Sequence, residues 1–205
     1  MAWMPRDGET VVFYDPTQRE SYETDRPSEY DPWAWPPALL VGRDNRADRC
    51  FPEVAVRAHF ERCGYRVLLS APKYPDELGF ILFHFRRLRR ANHPAFTRMQ
   101  EHFPTVDLNQ LAEEARRAKR DESRSGGGGD PDLFVFRPNS GERFFVDAKD
   151  ADTLKPNQLV CFPIIEERLG CLVKVVRIKP ITPRRCDASH RRTGRPPRRT
   201  LSGPR

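Results

Sequence analysis

The chain has 205 residues, 38% of them hydrophobic and 32% charged, with 20 prolines and a formal net charge of +7. That length holds one domain with a real core plus appendages, and so much proline and charge implies that part of the chain stays unpacked. No apolar run approaches the length of about 18 residues that a membrane span needs. The start, Met1-Ala2-Trp3-Met4-Pro5, lacks the pattern of a secretory leader, and five cysteines without Cys-x-x-Cys spacing point away from a zinc site or a disulfide framework. The expectation is a soluble intracellular protein with reduced thiols and no membrane partner.

Residues 1–50 are rich in Pro, Asp, Tyr and Trp; Val11-Val12-Phe13-Tyr14 is their strand-like run and Trp33-Ala34-Trp35-Pro36-Pro37 their most apolar stretch. Such a segment reads as an irregular arm draped over a core. The other reading is that Trp33 or Trp35 stacks on an unpaired base, as aromatic platforms do on single strands.

Phe51, Val54, Ala55 and Ala58 recur at i, i+3, i+4, i+7, which predicts an amphipathic helix over Pro52 to Cys63, with Gly64 at its end. Tyr65 to Leu69 follows as a strand. Glu53 in the first helical turn is there to complement the helix dipole or to serve a site; Glu61, near the helix end, is the lesser candidate.

The gap over 71–125 is longer than a compact core requires, and its patterning fills it with helices. Phe80-Ile81-Leu82-Phe83-His84-Phe85 reads as a buried run leading into Arg86, Arg87, Arg89 and Arg90. Those arginines either grip phosphates or end a solvated helix favourably. A second helix precedes Pro104. A third starts at Asp107, with Gln110 three residues on as in a capping box and Leu108, Leu111, Ala112 and Ala115 as its stripe. Arg116, Arg117, Lys119 and Arg120 are expected on its solvated face, with Glu113 supporting Arg117.

Ser123 to Gly129 is a glycine linker, or a place where missing Cβ atoms, as at Gly127 and Gly128, let a nucleic-acid backbone come close. Beyond it, Leu133-Phe134-Val135-Phe136 and Arg143-Phe144-Phe145-Val146-Asp147-Ala148-Lys149 flank Pro138-Asn139-Ser140-Gly141, a hairpin signal. A turn centred on Asn139 and Ser140 pairs residues whose numbers sum to 279, and so sets Asp132 opposite Asp147. Like charges facing each other across strands at roughly 4.5–5.5 Å between Cβ atoms destabilise a sheet. Lys149 falls on the Asp147 face and Ala148 on the opposite, buried one. Two carboxylates facing one spot are a set that Mg²⁺ accepts together with water and phosphate. Downstream, a helix over Pro156 to Leu169 with Pro163 expected to kink or divide it leads to a strand over Cys171 to Ile178.

Pro131-Asp132 followed by Asp147-Ala148-Lys149 resembles the signature of the PD-(D/E)XK nuclease superfamily. With the glycine run ahead of it and Gln158 in the next helix, it is most similar to the VRR-NUC (virus-type replication-repair nuclease) branch. The resemblance covers residues 51–70 and 126–180 and implies an α/β fold. That fold is a restriction-endonuclease-like core, αβββαβ, a small mixed sheet flanked by helices, with a helical insertion between the first and second core strands. It divides the chain into the arm at 1–50, a nuclease-like domain at 51–180 with the insertion over about 71–125, and a basic tail at 181–205. The implied activity is Mg²⁺- or Mn²⁺-dependent hydrolysis of phosphodiester bonds in DNA, RNA not being excluded, on flap, branched or end-containing substrates of replication, repair or recombination. The resemblance makes Asp132 and Asp147 metal ligands, joined by the Ala148 carbonyl and by Glu53 directly or through water. Lys149 would orient or deprotonate the attacking water, and Gln158 would position Lys149 or the phosphate. Two departures stand out: Asp130 replaces the usual apolar residue before Pro131, which leaves two aspartates, Asp130 and Asp132, as alternatives for the metal, and Asp147 stands where the branch more often has Glu.

From Arg184 to Arg205 there are eight arginines against Asp187, so the tail, with Arg191, Arg192, Arg198 and Arg199, is an electrostatic nucleic-acid contact or a solubilising segment. Three rivals remain: a non-cutting scaffold that keeps the fold, a Ca²⁺-binding hairpin built from Asp130, Asp132, Asp147, Asp150 and Asp152, and a histidine nuclease, the last two without supporting spacing. A homodimer is compatible with all of this and is not required by it.

Overall fold

The computed structural model describes residues 9–24, 51–70, 79–83, 94–121 and 129–182. Five strands form one mixed sheet: β1 (Glu9–Tyr14), β2 (Arg66–Leu69), β3 (Leu133–Phe136), β4 (Arg143–Lys149) and β5 (Val173–Pro180). Their spatial order is β1-β5-β4-β3-β2, with β2, β3 and β4 antiparallel and β4, β5 and β1 parallel. Among the described residues five helices accompany them: α1 (Pro16–Thr24), α2 (Phe51–Arg62), α3 (Pro94–His102), α4 (Leu108–Asp121) and α5 (Pro156–Leu169). No helix among the described residues is long and apolar enough to cross a membrane.

Strand alternation divides the core into two layers. Val67, Leu69, Leu133, Val135, Phe144, Val146 and Ala148 face α2 and the buried side chains Val12, Tyr14 and Tyr22. Leu68, Phe134 and Phe145 face α3, α4 and α5 through Met99, Phe103, Leu111, Phe162 and Ile165. At the centre of that second layer Phe134 meets His102, Phe103, Phe136 and Phe145 with ring centroids 4.9–5.7 Å apart. Helices α3 and α4, expected as an insertion, therefore share the core with the sheet rather than hanging from it.

The hairpin register is the predicted one, Leu133 opposite Val146 and Phe136 opposite Arg143. Asn139 and Gly141 take the positive φ that the turn requires, 67° and 71°. Asp107 caps α4 by accepting from the amides of Asn109 and Gln110 at 2.9 and 3.0 Å.

Four expectations need correction. Residues 9–24 are not an irregular arm: Val12 and Tyr14 alternate into the core, and β1 pairs along its whole length with β5; the Trp33 and Trp35 reading lies outside the described residues. Pro163 leaves α5 undivided, because Cys161, Phe162 and Ile165 around it are fully buried against the sheet. On α4 the ion pair of Glu113 is with Arg116, not Arg117. Lys119 is not solvated but 3% exposed, standing at i+4 from Ala115 on the helix's buried stripe with its charge acting on Cys161.

Gly129, at the entrance to β3, has φ +106°, and a Cβ there would stand 2.6 Å from the Cys161 sulfur and 3.2 Å from the Asn157 carbonyl oxygen. Gly129→Ala is expected to lower stability by about 2–3 kcal/mol through overpacking and backbone strain. Urea unfolding measures it; an unchanged midpoint would mean that this backbone is not held against α5.

Candidate active site

Asp132 occupies the last position before β3, and its backbone carbonyl accepts from Ser70 at 2.8 Å, which ties it to the end of β2. Its carboxylate reaches across to β4, where Oδ2 accepts the Ala148 amide at 2.9 Å. The register continues past Leu133 and Val146 to set Asp132 opposite Asp147, and its carboxylate reaches the amide one residue further on. The residue is half-buried by surface, but the carboxyl itself points inward, and its burial and the nearby Asp147 and Glu53 carboxyls raise its pKa well above the usual range.

Asp147 is fully buried. Its Oδ1 accepts from the Gln158 side-chain amide on α5, while Gln158 Oε1 accepts the Lys155 amide at 2.8 Å, so one side chain both closes the first turn of α5 and aims the aspartate. Gln158 therefore holds Asp147 rather than Lys149. Asp147 Oδ2 lies 2.8 Å from Lys149 Nζ, a close buried ion pair. Burial raises the Asp147 carboxyl, against the pull of Lys149 and of a hydrogen-bonding contact with the Asp132 carboxyl. Buried acids this close behave as a pair sharing a proton.

Lys149 is 3% exposed and stands between two acids, Asp147 at 2.8 Å and Asp152 at 3.6 Å. Burial works to lower its pKa, but Asp147, Asp132 and Asp152 outweigh it, so the ammonium is held above its ordinary value. Glu53 comes from the first turn of α2, on the other layer. Its Oε2 is buried without a partner. Burial pushes its carboxyl up to about 7 against Lys149, with Asp147 and Asp152 adding to the rise.

Four carboxyls, those of Glu53, Asp132, Asp147 and Asp152, thus act on one ammonium, and one buried oxygen, Glu53 Oε2, has no hydrogen-bond partner. The cluster is short of positive charge. Among the described residues no three His, Cys, Asp or Glu side chains are grouped so as to hold a metal ion; a cation here would have to be one that takes one or two carboxylates and keeps its water.

The rise at Glu53 gives a stability prediction. Its proton is held more tightly in the folded chain than in the unfolded one, so its contribution is fully present below 4.5 and disappears as pH rises through about 7. At 1.36 kcal/mol per pH unit the contribution is about 3 kcal/mol. In the presence of a chelator the melting temperature should fall between pH 5 and 7.5, and Glu53→Gln should flatten that fall. Parallel curves for the two proteins would place the Glu53 carboxyl in water.

Other sequence candidates are sorted by what they touch. Asp130 accepts the amides of Leu82 and Phe83 at 3.1 and 2.9 Å and so anchors the 79–83 segment. Of the two aspartates flanking Pro131, only Asp132 bonds into the Asp147-Ala148-Lys149 strand end. Asp150 is paired with Arg19 at 2.7 Å, which with Asp130 disperses the proposed Ca²⁺ set. Glu61 pairs with Arg57 at 2.8 Å on exposed α2 surface. Arg86, Arg87, Arg89, Arg90, Gly127, Gly128, Arg191, Arg192, Arg198 and Arg199 lie outside the described residues. Asp152, weighed in the sequence only as one acid of a Ca²⁺-binding hairpin, is instead the partner of Lys149, for which the Asp147-x-Lys149-x-x-Asp152 spacing is the signal; Arg19 and Arg177 at the rim carry no local signal.

No protein-family model, curated protein or solved structure matches the chain.

Proposed function

We propose that the protein is a metal-dependent nuclease of the PD-(D/E)XK type, nearest the VRR-NUC branch, with a restriction-endonuclease-like αβββαβ core formed by α2, β2, β3, β4, α5 and β5. The observation that carries this reading is the Asp132 carboxylate hydrogen-bonded to the Ala148 amide at 2.9 Å, with Lys149 Nζ 2.8 Å from Asp147. A hairpin stabilised for its own sake gains nothing from burying two acids against each other, because their mutual repulsion and desolvation cost several kcal/mol. Such a cluster is retained where a ligand makes use of it.

Asp132 and Asp147 would hold a Mg²⁺ or Mn²⁺ ion, with the Ala148 carbonyl and Glu53 completing its surroundings. When bound, the ion supplies Lewis-acid polarisation of a phosphodiester oxygen and a more acidic water. The chain's own residues do the rest. Gln158 fixes the Asp147 rotamer, and the Ala148 amide fixes that of Asp132. Lys149 holds its ammonium beside Asp147, where it would offset charge accumulating on the scissile phosphate and orient the attacking water by donating to its oxygen. Burial keeps these interactions strong by excluding bulk water.

DNA is the favoured substrate, with RNA as a comparison arm, and cleavage of labelled single-stranded, duplex, flap and four-way-junction DNA in Mg²⁺ or Mn²⁺ tests the assignment. Cutting that is lost in EDTA and in Lys149→Ala is expected. Purified protein that binds these substrates and cuts none would instead support a scaffold that keeps the fold.

A further inference from the structure

The N-terminal strand and helix converge on the loop that follows Lys149. Arg177 on β5 is paired in register with Lys149 on one side and Val11 on the other. Its NH1 donates to the carbonyl oxygens of Asp150 at 2.9 Å and Asp152 at 3.1 Å. Its Nε and NH2 are held by Glu9 of β1 at 2.8 and 2.7 Å. From α1, Arg19 NH1 reaches the Asp150 carboxylate at 2.7 Å, and its guanidinium lies 5.6 Å from the Phe51 ring, two residues before Glu53.

Two arginines therefore fasten the first three residues of the loop that joins β4 to α5. The loop in turn presents Asp152, whose side chain is 57% exposed, to Lys149 at 3.6 Å. Apart from that ion pair with Lys149, the loop is held from outside the hairpin, by Arg19 and Arg177. We propose that the β1–α1 unit is a working part of the site: Arg19 and Arg177 are positioning residues that fix the 150–152 loop, and Asp152 is the solvent-side partner that keeps Lys149 aimed between Asp147 and an arriving phosphate.

The forked guanidinium is what allows Arg177 to serve two carbonyls and one carboxylate together; a lysine keeps the charge but not the geometry. Because Arg19 and Asp150 act as one pair, their substitutions should not add. The proposal rests on the nuclease reading for its catalytic half, and the test separates the two.

Full-length Arg19→Ala, Asp150→Ala, the double variant and Arg177→Lys are compared with wild type in two assays. Hydrogen exchange at the amides of Asp150 to Leu154, measured with EDTA present, is expected to quicken at least about fivefold in each variant, with the α5 amides unchanged. Steady-state cleavage of a labelled flap should show kcat reduced about tenfold with KM within about twofold, and the double variant no worse than either single one. The exchange–reversed pair Arg19→Asp with Asp150→Arg should recover most of kcat. Unchanged exchange in the loop, additive losses in the double variant, or faster exchange with full kcat each overturns the proposal. Wild-type protein that cuts nothing overturns the nuclease reading and the catalytic half with it, while the exchange measurement still decides whether the two arginines hold the loop.

Discussion

Asp132→Asn should abolish cleavage and at the same time make the metal-free protein more stable. The substitution keeps an oxygen for the Ala148 amide but removes the charge from a carboxyl that burial, Asp147 and Glu53 all disfavour as an anion. A catalytic loss of about 10²–10³-fold or more is the scale for removing one charged group from a preorganised site. The gain in stability should be about 1–3 kcal/mol, the usual worth of relieving a buried like-charge contact. Thermal melting in EDTA and single-turnover cleavage in Mg²⁺ measure the two together. A variant that loses activity and stability alike would mean that Asp132 serves the fold. Opposite movement of the two is the mark of a group kept for function at the expense of the scaffold.

Lys149→Met should be equally damaging to cleavage and opposite in stability. Its ammonium is the partner of Asp147, which is fully buried, and its removal takes the counter-charge from Asp147, Asp132, Asp152 and Glu53 together. Breaking a buried pair from one side costs about 3–5 kcal/mol. Protonation of the carboxyls offsets part of this, so the loss should grow as pH rises from 5 to 8. The same melting series reports it; a Lys149→Met protein as stable as wild type at pH 8 would show that solvent already screens Asp147. Divalent cation should restore more stability to Lys149→Met than to Asp132→Asn, since only the former retains both aspartates.

The hairpin could be read from the sequence because its information is local. Alternating apolar residues, the Asn139–Gly141 turn and the strand period of two fix the register, and the register alone sets Asp132 against Asp147. Helix α2 and the α5 boundaries were equally plain, with Pro156 and Gly170 punctuating the latter. What the sequence concealed was long-range. Glu9–Tyr14 is a short strand in a proline-rich stretch, and its partner lies at the other end of the domain, beyond the reach of any local pattern. The Gln158 contact to Asp147 and the Asp130 contact to the Leu82 and Phe83 amides also depend on tertiary placement. Lys119 departs from expectation for a different reason: its charge argues for solvent, while its helical position repeats that of Leu111 and Ala115. The chemistry of the nearest aspartate was ambiguous in sequence and is separated in space, Asp130 to the backbone of the 79–83 segment and Asp132 to the strand end that carries the lysine.

The pairing of β1 with β5 sets a timetable for synthesis. Glu9 finds its neighbour Val175 only after nearly the whole domain has left the ribosome, and closing so long a stretch of chain is slow compared with forming the local β3–β4 ribbon. The ribbon and its acids can thus assemble in a nascent chain whose first strand is still waiting. An immature product would carry the acidic centre without its final geometry, competent only once the two ends of the domain have met.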